Sequence, residues 1–289
     1  MIAVLRPWFA LVRFSHSLFA LPFALASAWL AAGGRPETRV LVLVVLCAVA
    51  ARTAAMAFNR WLDRGIDAEN PRTRGRELPR GVLSARAALV LAAVAALVFL
   101  AGARALNPLC LRLAPAVLFV LLGYSATKRF SAGTHFVLGL ALALAPLGAW
   151  VAVRGNFEGD LAPPLLLALA VLTWVAGFDL IYACQDEDFD RARGLHSIPA
   201  RFGAAKALRL SSALHVVTFA TLVLFGWRAH LGWGFESALA LAAVLLYWQH
   251  RLVSPRDLSR LDLAFFTLNG WVAVGLFLGT VLDLELGWR

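Results

Sequence analysis

The chain has 289 residues, of which 61% are hydrophobic and 15% charged, and its mean hydropathy is +0.76. That is too apolar for a soluble globule, and the apolar residues fall in runs of about 20, enough for a helix to cross a ~30 Å hydrocarbon layer, instead of the alternating ten-residue segments of a transmembrane barrel. The formal net charge of +10 lies between those runs without interleaved aromatics, which excludes a nucleic-acid surface and favours membrane topology. The expected fold class is all-α: a polytopic membrane protein of about nine transmembrane helices in a lipid bilayer, forming one domain over residues 1–289.

In chain order the predicted spans are 9–32, 40–60, 86–103, 108–126, 134–153, 161–184, 205–227, 233–250 and 263–284. The first resembles a secretory leader in having Arg6 and Arg13 ahead of an apolar run, but Phe14-Ser15-His16 and Pro22 fit a leader poorly and Trp8 to Ala32 is long enough to span. Lys and Arg alternate in density from side to side. Nineteen fall on the side of the N-terminus, Lys128-Arg129 and the loops around 60–86, 191–209 and 251–260. Seven fall opposite (Arg35, Arg39, Arg104, Arg112, Arg154, Arg228, Arg289), and Arg52 lies within span two. The positive-inside rule therefore puts the N-terminus and the two longest loops in the cytoplasm, with the protein in the cell's inner membrane. Cys47, Cys110 and Cys184 are too far apart for a redox or zinc motif and read as small buried hydrophobes.

Span two ends in Asn59-Arg60-Trp61-Leu62-Asp63-Arg64-Gly65-Ile66-Asp67. Steps of four place Asn59, Asp63 and Asp67 on one helical face, and carboxylates at the end of a bilayer helix are costly. Alone, the stretch is also compatible with acids paired to neighbouring arginines. The end of span six repeats it. At an offset of 123, Asp63 falls on Asp186, Asp67 on Asp190 and Asn59 on Tyr182, and both segments continue through arginines, a glycine and a proline into a new apolar helix. The chain thus reads as two copies of one unit, with acidic ends facing one cavity.

Four or five carboxylates at such a place repel strongly unless cations join them; unit charges ~4 Å apart interact by about 4 kcal/mol at an effective dielectric near 20. Carboxylate and amide oxygens suit Mg²⁺, which completes its shell with water and substrate phosphates. The predicted metal ligands are Asn59, Asp63, Asp67, Asp186 and Asp190. Arg52, seven residues before Asn59 on the same face, and Lys128-Arg129 then read as phosphate clamps, and the Leu, Ala, Val, Phe and Trp around them ask for a greasy organic part.

N-x-x-x-D-x-x-x-D in one loop and D-x-x-x-D in the other, on nine spans, resemble the UbiA superfamily of intramembrane aromatic prenyltransferases over essentially the whole chain. Supporting matches are His16 to Phe23, Tyr124 with Thr127-Lys128-Arg129, and Asn70-Pro71-Arg72-Thr73. Asn59-Arg60, Arg76-Glu77-Leu78-Pro79, Ile181 to Asp186 and Gly194 to Gly203 resemble the bacterial 4-hydroxybenzoate polyprenyltransferase-like branch, many of whose members are thought to serve futalosine-route menaquinone synthesis on 1,4-dihydroxy-6-naphthoate. Asn59-Arg60 and Arg76-Glu77-Leu78 stand where the family commonly has Asn-Asp and Arg-Pro-Leu, departures that touch the aromatic substrate more than the reaction.

The resemblance implies that Asp63, Asp67, Asp186 and Asp190 carry catalysis through Mg²⁺, with a polyprenyl diphosphate as donor and an aromatic acid as acceptor. Arg52, Lys128 and Arg129 would neutralise the diphosphate, Tyr124 and Tyr182 would shield the allylic cation or hydrogen-bond the diphosphate, and Arg72 or Arg76 would hold the acceptor carboxylate. Haem, chlorophyll or homogentisate prenylation and, in another class, a transporter are the alternatives; a CDP-alcohol phosphotransferase lacks its D-G-x-x-A-R signature here. His16 and His135 read as packed histidines, Asp179 as functional or as a partner for Arg52, Glu187 and Asp188 as solvent-facing or paired with Arg191, and Trp8, Trp227, Trp233 and Trp288 as interfacial anchors.

Overall fold

The computed structural model describes residues 7, 8, 11 and 19–287, and among these the regular structure is helical apart from one isolated bridge between Ser254 and Asp257. The principal helices are α1 (Leu21–Ala32), α2 (Thr38–Glu69), α3 (Ala85–Leu106), α4 (Pro108–Thr127), α5 (Thr134–Arg154) and α6 (Ala162–Ala183). Two short helices follow, α7 (Glu187–Ala192) and α8 (Ile198–Phe202), then α9 (Ala204–Arg228), α10 (Trp233–Leu252) and α11 (Leu268–Leu286). Each predicted span has its helix. Among the described residues seven helices are long and apolar enough to cross a membrane. Of the other two, α1 is described over 12 residues, His16 to Leu18 lying outside the described residues, and α10 has 20 residues but carries Glu236, Gln249, His250 and Arg251.

Helix starts follow local chemistry. Ser84 and Asn107 cap α3 and α4 by accepting from Ala87 N and Cys110 N at 3.1 and 2.8 Å, with Pro108 opening α4 where its missing N–H costs nothing. α1 ends on Gly33 at φ +70°, a left-handed stop that glycine adopts without strain.

One boundary differs from the sequence expectation, and two local turns carry no mark in the sequence. Span two does not stop at 60: α2 runs to Glu69, about 48 Å at 1.5 Å per residue, because nothing breaks the helix before Asn70-Pro71. Its last turns, bearing the whole acidic motif, therefore extend beyond a ~30 Å apolar layer. The second motif is not one continuous helix, since the chain tightens into a 3₁₀ turn at Cys184–Asp186 before α7. The ninth span opens with a π-helical turn at Leu263–Thr267, where Gln249 and Asn269 side-chain amides donate to the Ala264 carbonyl at 3.0 and 3.3 Å.

Packing follows chain order, and the two most extensive pairings are α2 with α3 and α6 with α9, the matched helix pairs of the duplicated unit. α1 closes the bundle by packing on α5 and α11. At Gly139 a Cβ would lie 2.4 Å from the Leu172 carbonyl oxygen, so only glycine allows α5 and α6 to approach as they do. An aromatic core of Phe19, Phe23, Trp174, Phe178 and Phe265 joins α1, α6 and the π turn, with Trp174 Nε1 donating to Asn269 Oδ1 at 2.8 Å.

Candidate active site

Both acidic motifs open into one cavity of about 770 Å³. Its mouth is lined by Asn59, Asp63, Asp67, Asp186 and Asp190, and its far end by Phe157, Leu161 and Pro164. Leu161 and Asp186 are 25 residues apart along α6 and its 3₁₀ extension, so the cavity runs about 37 Å, the depth of the bundle. Between the ends the walls are Ala, Val, Leu and Phe from α2, α4, α5 and α6.

On α2, Arg60, Asp63 and Asp67 are 3–4% exposed although charged, which is tolerable only because each is paired. Asp63 binds Lys128 Nζ at 2.8 Å through one oxygen and Arg129 at 2.8 Å through the other, and Asn59 Nδ2 donates to it at 3.2 Å. Asp67 receives Arg76 at 2.8 and 2.9 Å, with Arg60 at 3.9 Å. From the other half, Asp186 is gripped by the Arg72 fork, with Nε 2.9 Å from Oδ1 and a second arm on Oδ2, and Asn70 Nδ2 donates at 2.9 Å. Arg72 also donates to Tyr182 Oη at 3.0 Å and lies over that ring, 5.2 Å from its centroid. Burial opposes the Arg72 charge, yet the hydrogen bond to Asp186 and the nearby acids hold its guanidinium above the ordinary value.

The structure thus brings every sequence-predicted site residue to one cavity. Arg52, Tyr124, Lys128, Tyr182 and Asp190 line it, as do Arg72 and Arg76, and Arg129 reaches it through Asp63. The halves are tied across its mouth by Arg72 to Asp186, by a salt bridge of Arg193 with Glu69, and by His196 N donating to Lys128 O at 2.7 Å. Asn70, in the Asn70-Pro71-Arg72-Thr73 stretch, has no role predicted from sequence. Asp179, expected to be functional or a partner for Arg52, pairs with His135, whose Nδ1 lies 2.7 Å from Asp179 Oδ2, and both line the cavity. Glu187 does pair with Arg191, and Asp188 is fully exposed near it.

Among the described residues no three His, Cys or acidic side chains converge into a preassembled metal cage. Asp63, Asp67 and Asp186 instead pair with basic groups, while oxygen donors from both motifs line the same opening. That donor set fits a hard ion taking one or two carboxylates from the protein and the rest from phosphate and water.

A helical bundle with a charged, two-part mouth over a bilayer-deep apolar cavity defines a membrane enzyme acting on a ligand with an anionic head and a long apolar tail. Residues 20–271 match the UbiA prenyltransferase family, and the chain belongs to that family. It is similar to the protein named 4-hydroxybenzoate octaprenyltransferase of Nitrosomonas europaea, at 35% identity over 260 residues covering 88% of this chain and 86% of the relative. The Aeromonas hydrophila protein of that name is 33% identical over 255 residues, covering 88% and 87%. Among solved structures, a UbiA homologue from Aeropyrum pernix K1 superposes with a TM-score of 0.84 at 35% identity, covering 93% of this chain and 98% of that one. A UbiA homologue from Archaeoglobus fulgidus bound to GPP and Mg²⁺ shares the fold with a TM-score of 0.68 at 20% identity, covering 95% and 99%.

Proposed function

We propose that this protein transfers a polyprenyl group from its diphosphate to a ring carbon of a hydroxylated aromatic acid, with Mg²⁺ as cofactor, in quinone biosynthesis. The observation that carries this reading is the placement of both acidic motifs and their basic partners at the mouth of one long apolar cavity. The named relatives favour 4-hydroxybenzoate over 1,4-dihydroxy-6-naphthoate as acceptor. The donor's tail lies in the cavity and its diphosphate at the mouth, which faces the cytoplasm.

Asn59, Asp63 and Asp67 from one half and Asp186 and Asp190 from the other would hold Mg²⁺, which when bound would shield the diphosphate oxygens. Lys128 and Arg129, now on Asp63, and Arg52 turn their charge to the leaving diphosphate as its bond to the prenyl C1 lengthens. The Tyr182 and Tyr124 rings border the same space and offer π faces to the allylic cation. Arg72 or Arg76 holds the acceptor's carboxylate near the mouth. Apolar walls keep water from the cation until the ring carbon attacks.

Purified protein in lipid nanodiscs, given Mg²⁺, a labelled polyprenyl diphosphate and a panel of aromatic acids, tests the reading. Wild type prenylates at least one acid, chelation of Mg²⁺ stops it, and Asp63→Asn and Asp186→Asn each lower the rate by about 10³-fold, with the double variant little worse because the two halves act as a unit. A wild type that prenylates none of them overturns it.

A further inference from the structure

Asp179 and His135 belong to neither motif, yet they face the same cavity. Asp179, Tyr182 and Asp186 follow one another at steps of three and four, on one face of α6 and its extension. Asp179 therefore lies about 10 Å deeper than Asp186, toward the apolar interior. His135 is the second residue of α5 and is 2% exposed. Its Nε2 accepts from the Ile198 backbone N–H at 3.4 Å, so the ring proton resides on Nδ1 and is donated to Asp179 Oδ2 at 2.7 Å. Ile198 opens α8, whose start is capped by Ser197 accepting from Ala200 N at 3.2 Å. The loop after the second motif thereby sets the tautomer of His135. One oxygen of Asp179 is tied; the other has no protein partner among the described residues, and the side chain is 21% exposed to the cavity.

A packed His–Asp pair could serve structure alone. Placing a carboxylate below the charged mouth of an apolar cavity with one oxygen unused is costly, however, unless a ligand uses it. We infer that Asp179 is the base that removes the ring proton of the aromatic acceptor, and that His135 is its positioning residue. This rests on the prenyl-transfer reading above. The C1–O bond of the prenyl diphosphate breaks with its electron pair leaving on diphosphate, and a ring π pair forms the new C–C bond to C1. The proton on that ring carbon passes to Asp179 Oδ1, its C–H pair restores the aromatic ring, and Asp179 returns the proton to water at the mouth. His135 keeps its own proton and fixes the carboxylate's orientation.

The test compares kcat, KM for the prenyl diphosphate, and the kinetic effect of deuterium at the reacting ring carbon. Asp179→Asn keeps the size and accepts from His135 but cannot take a proton. The expected result is a fall in kcat of about 10²-fold, an unchanged KM for the prenyl diphosphate, and a primary deuterium isotope effect absent from wild type. His135→Phe lowers kcat by about 10-fold through misplacement of the base, while His135→Asn, which retains an N–H donor, recovers most of it. Full activity in Asp179→Asn, a slowed variant without the isotope effect, or equal impairment of the two His135 variants overturns the inference. A wild type that prenylates no acid would instead overturn the functional reading itself.

Discussion

At the residue scale the site is held by charge pairs that only certain side chains can make. Arg72 contacts both oxygens of Asp186 and the Tyr182 hydroxyl and covers the Tyr182 ring, a set of contacts that a planar five-donor fork can satisfy and an ammonium cannot. Arg72→Lys should therefore behave much like Arg72→Ala. The expected loss is roughly 2 kcal/mol, about 30-fold in kcat/KM for the prenyl diphosphate, as for a charge-assisted hydrogen bond; a lysine variant near wild type would show that charge alone suffices. The acids themselves were legible in the sequence because periodicity and duplication mark them without knowledge of the fold. Their partners were not: Asn70 reaching Asp186, or His135 reaching Asp179, depends on contacts 116 and 44 residues apart. One signal for Asp179 was present, since its spacing to Tyr182 and Asp186 puts all three on a common face.

At the element scale the spans were legible because a long apolar run with polar flanks permits little but a helix in a bilayer. The 3₁₀ turn at Cys184–Asp186 and the π turn at Leu263–Thr267 were not, since neighbouring helices satisfy the backbone groups these turns redirect, as Gln249 and Asn269 do for Ala264. Asp283, read from sequence as part of the last span, proves to be the cap of another helix. It is 1% exposed on α11, and its carboxylate accepts from the Gly232, Gly234 and Phe235 backbone N–H groups, each at 2.8 Å, at the start of α10. A carboxylate there answers both the orphan donors and the positive helix end. Asp283→Leu leaves three backbone donors, two of them buried, without partners and should cost about 3 kcal/mol or more. Denaturation in bicelles measures this, and kcat of the folded fraction should remain near wild type because the cavity lining does not include Asp283. Gly139→Ala should also destabilise, by about 1–3 kcal/mol, because the Leu172 carbonyl is backbone and cannot swing away.

For the whole molecule, the duplicated unit explains why one site can be built from distant parts of the chain. Three helices, α3, α4 and α5, lie between α2 and α6, so both run toward the same end of the bundle, where the 70–84 loop and the α7–α8 segment meet across the mouth. Positive charge gathers at that end: the loop between α2 and α3 carries Arg72, Arg74, Arg76 and Arg80, whereas the turn between α5 and α6 carries Glu158 and Asp160 and no Lys or Arg. If the basic loops are retained on insertion, as the proposed orientation requires, the mouth would face the cytoplasm. Single cysteines introduced at Gly75 and at Glu158, both exposed, test this in a background with Cys47, Cys110 and Cys184 replaced by serine. Gly75 has open space around it, so a side chain there meets nothing within 4 Å. A membrane-impermeant maleimide should label Glu158→Cys but not Gly75→Cys in intact cells, and the pattern should reverse in inside-out vesicles. Labelling of Gly75→Cys in intact cells would turn the enzyme over in the membrane. Labelling of both from the same side would contradict the number of helices between them.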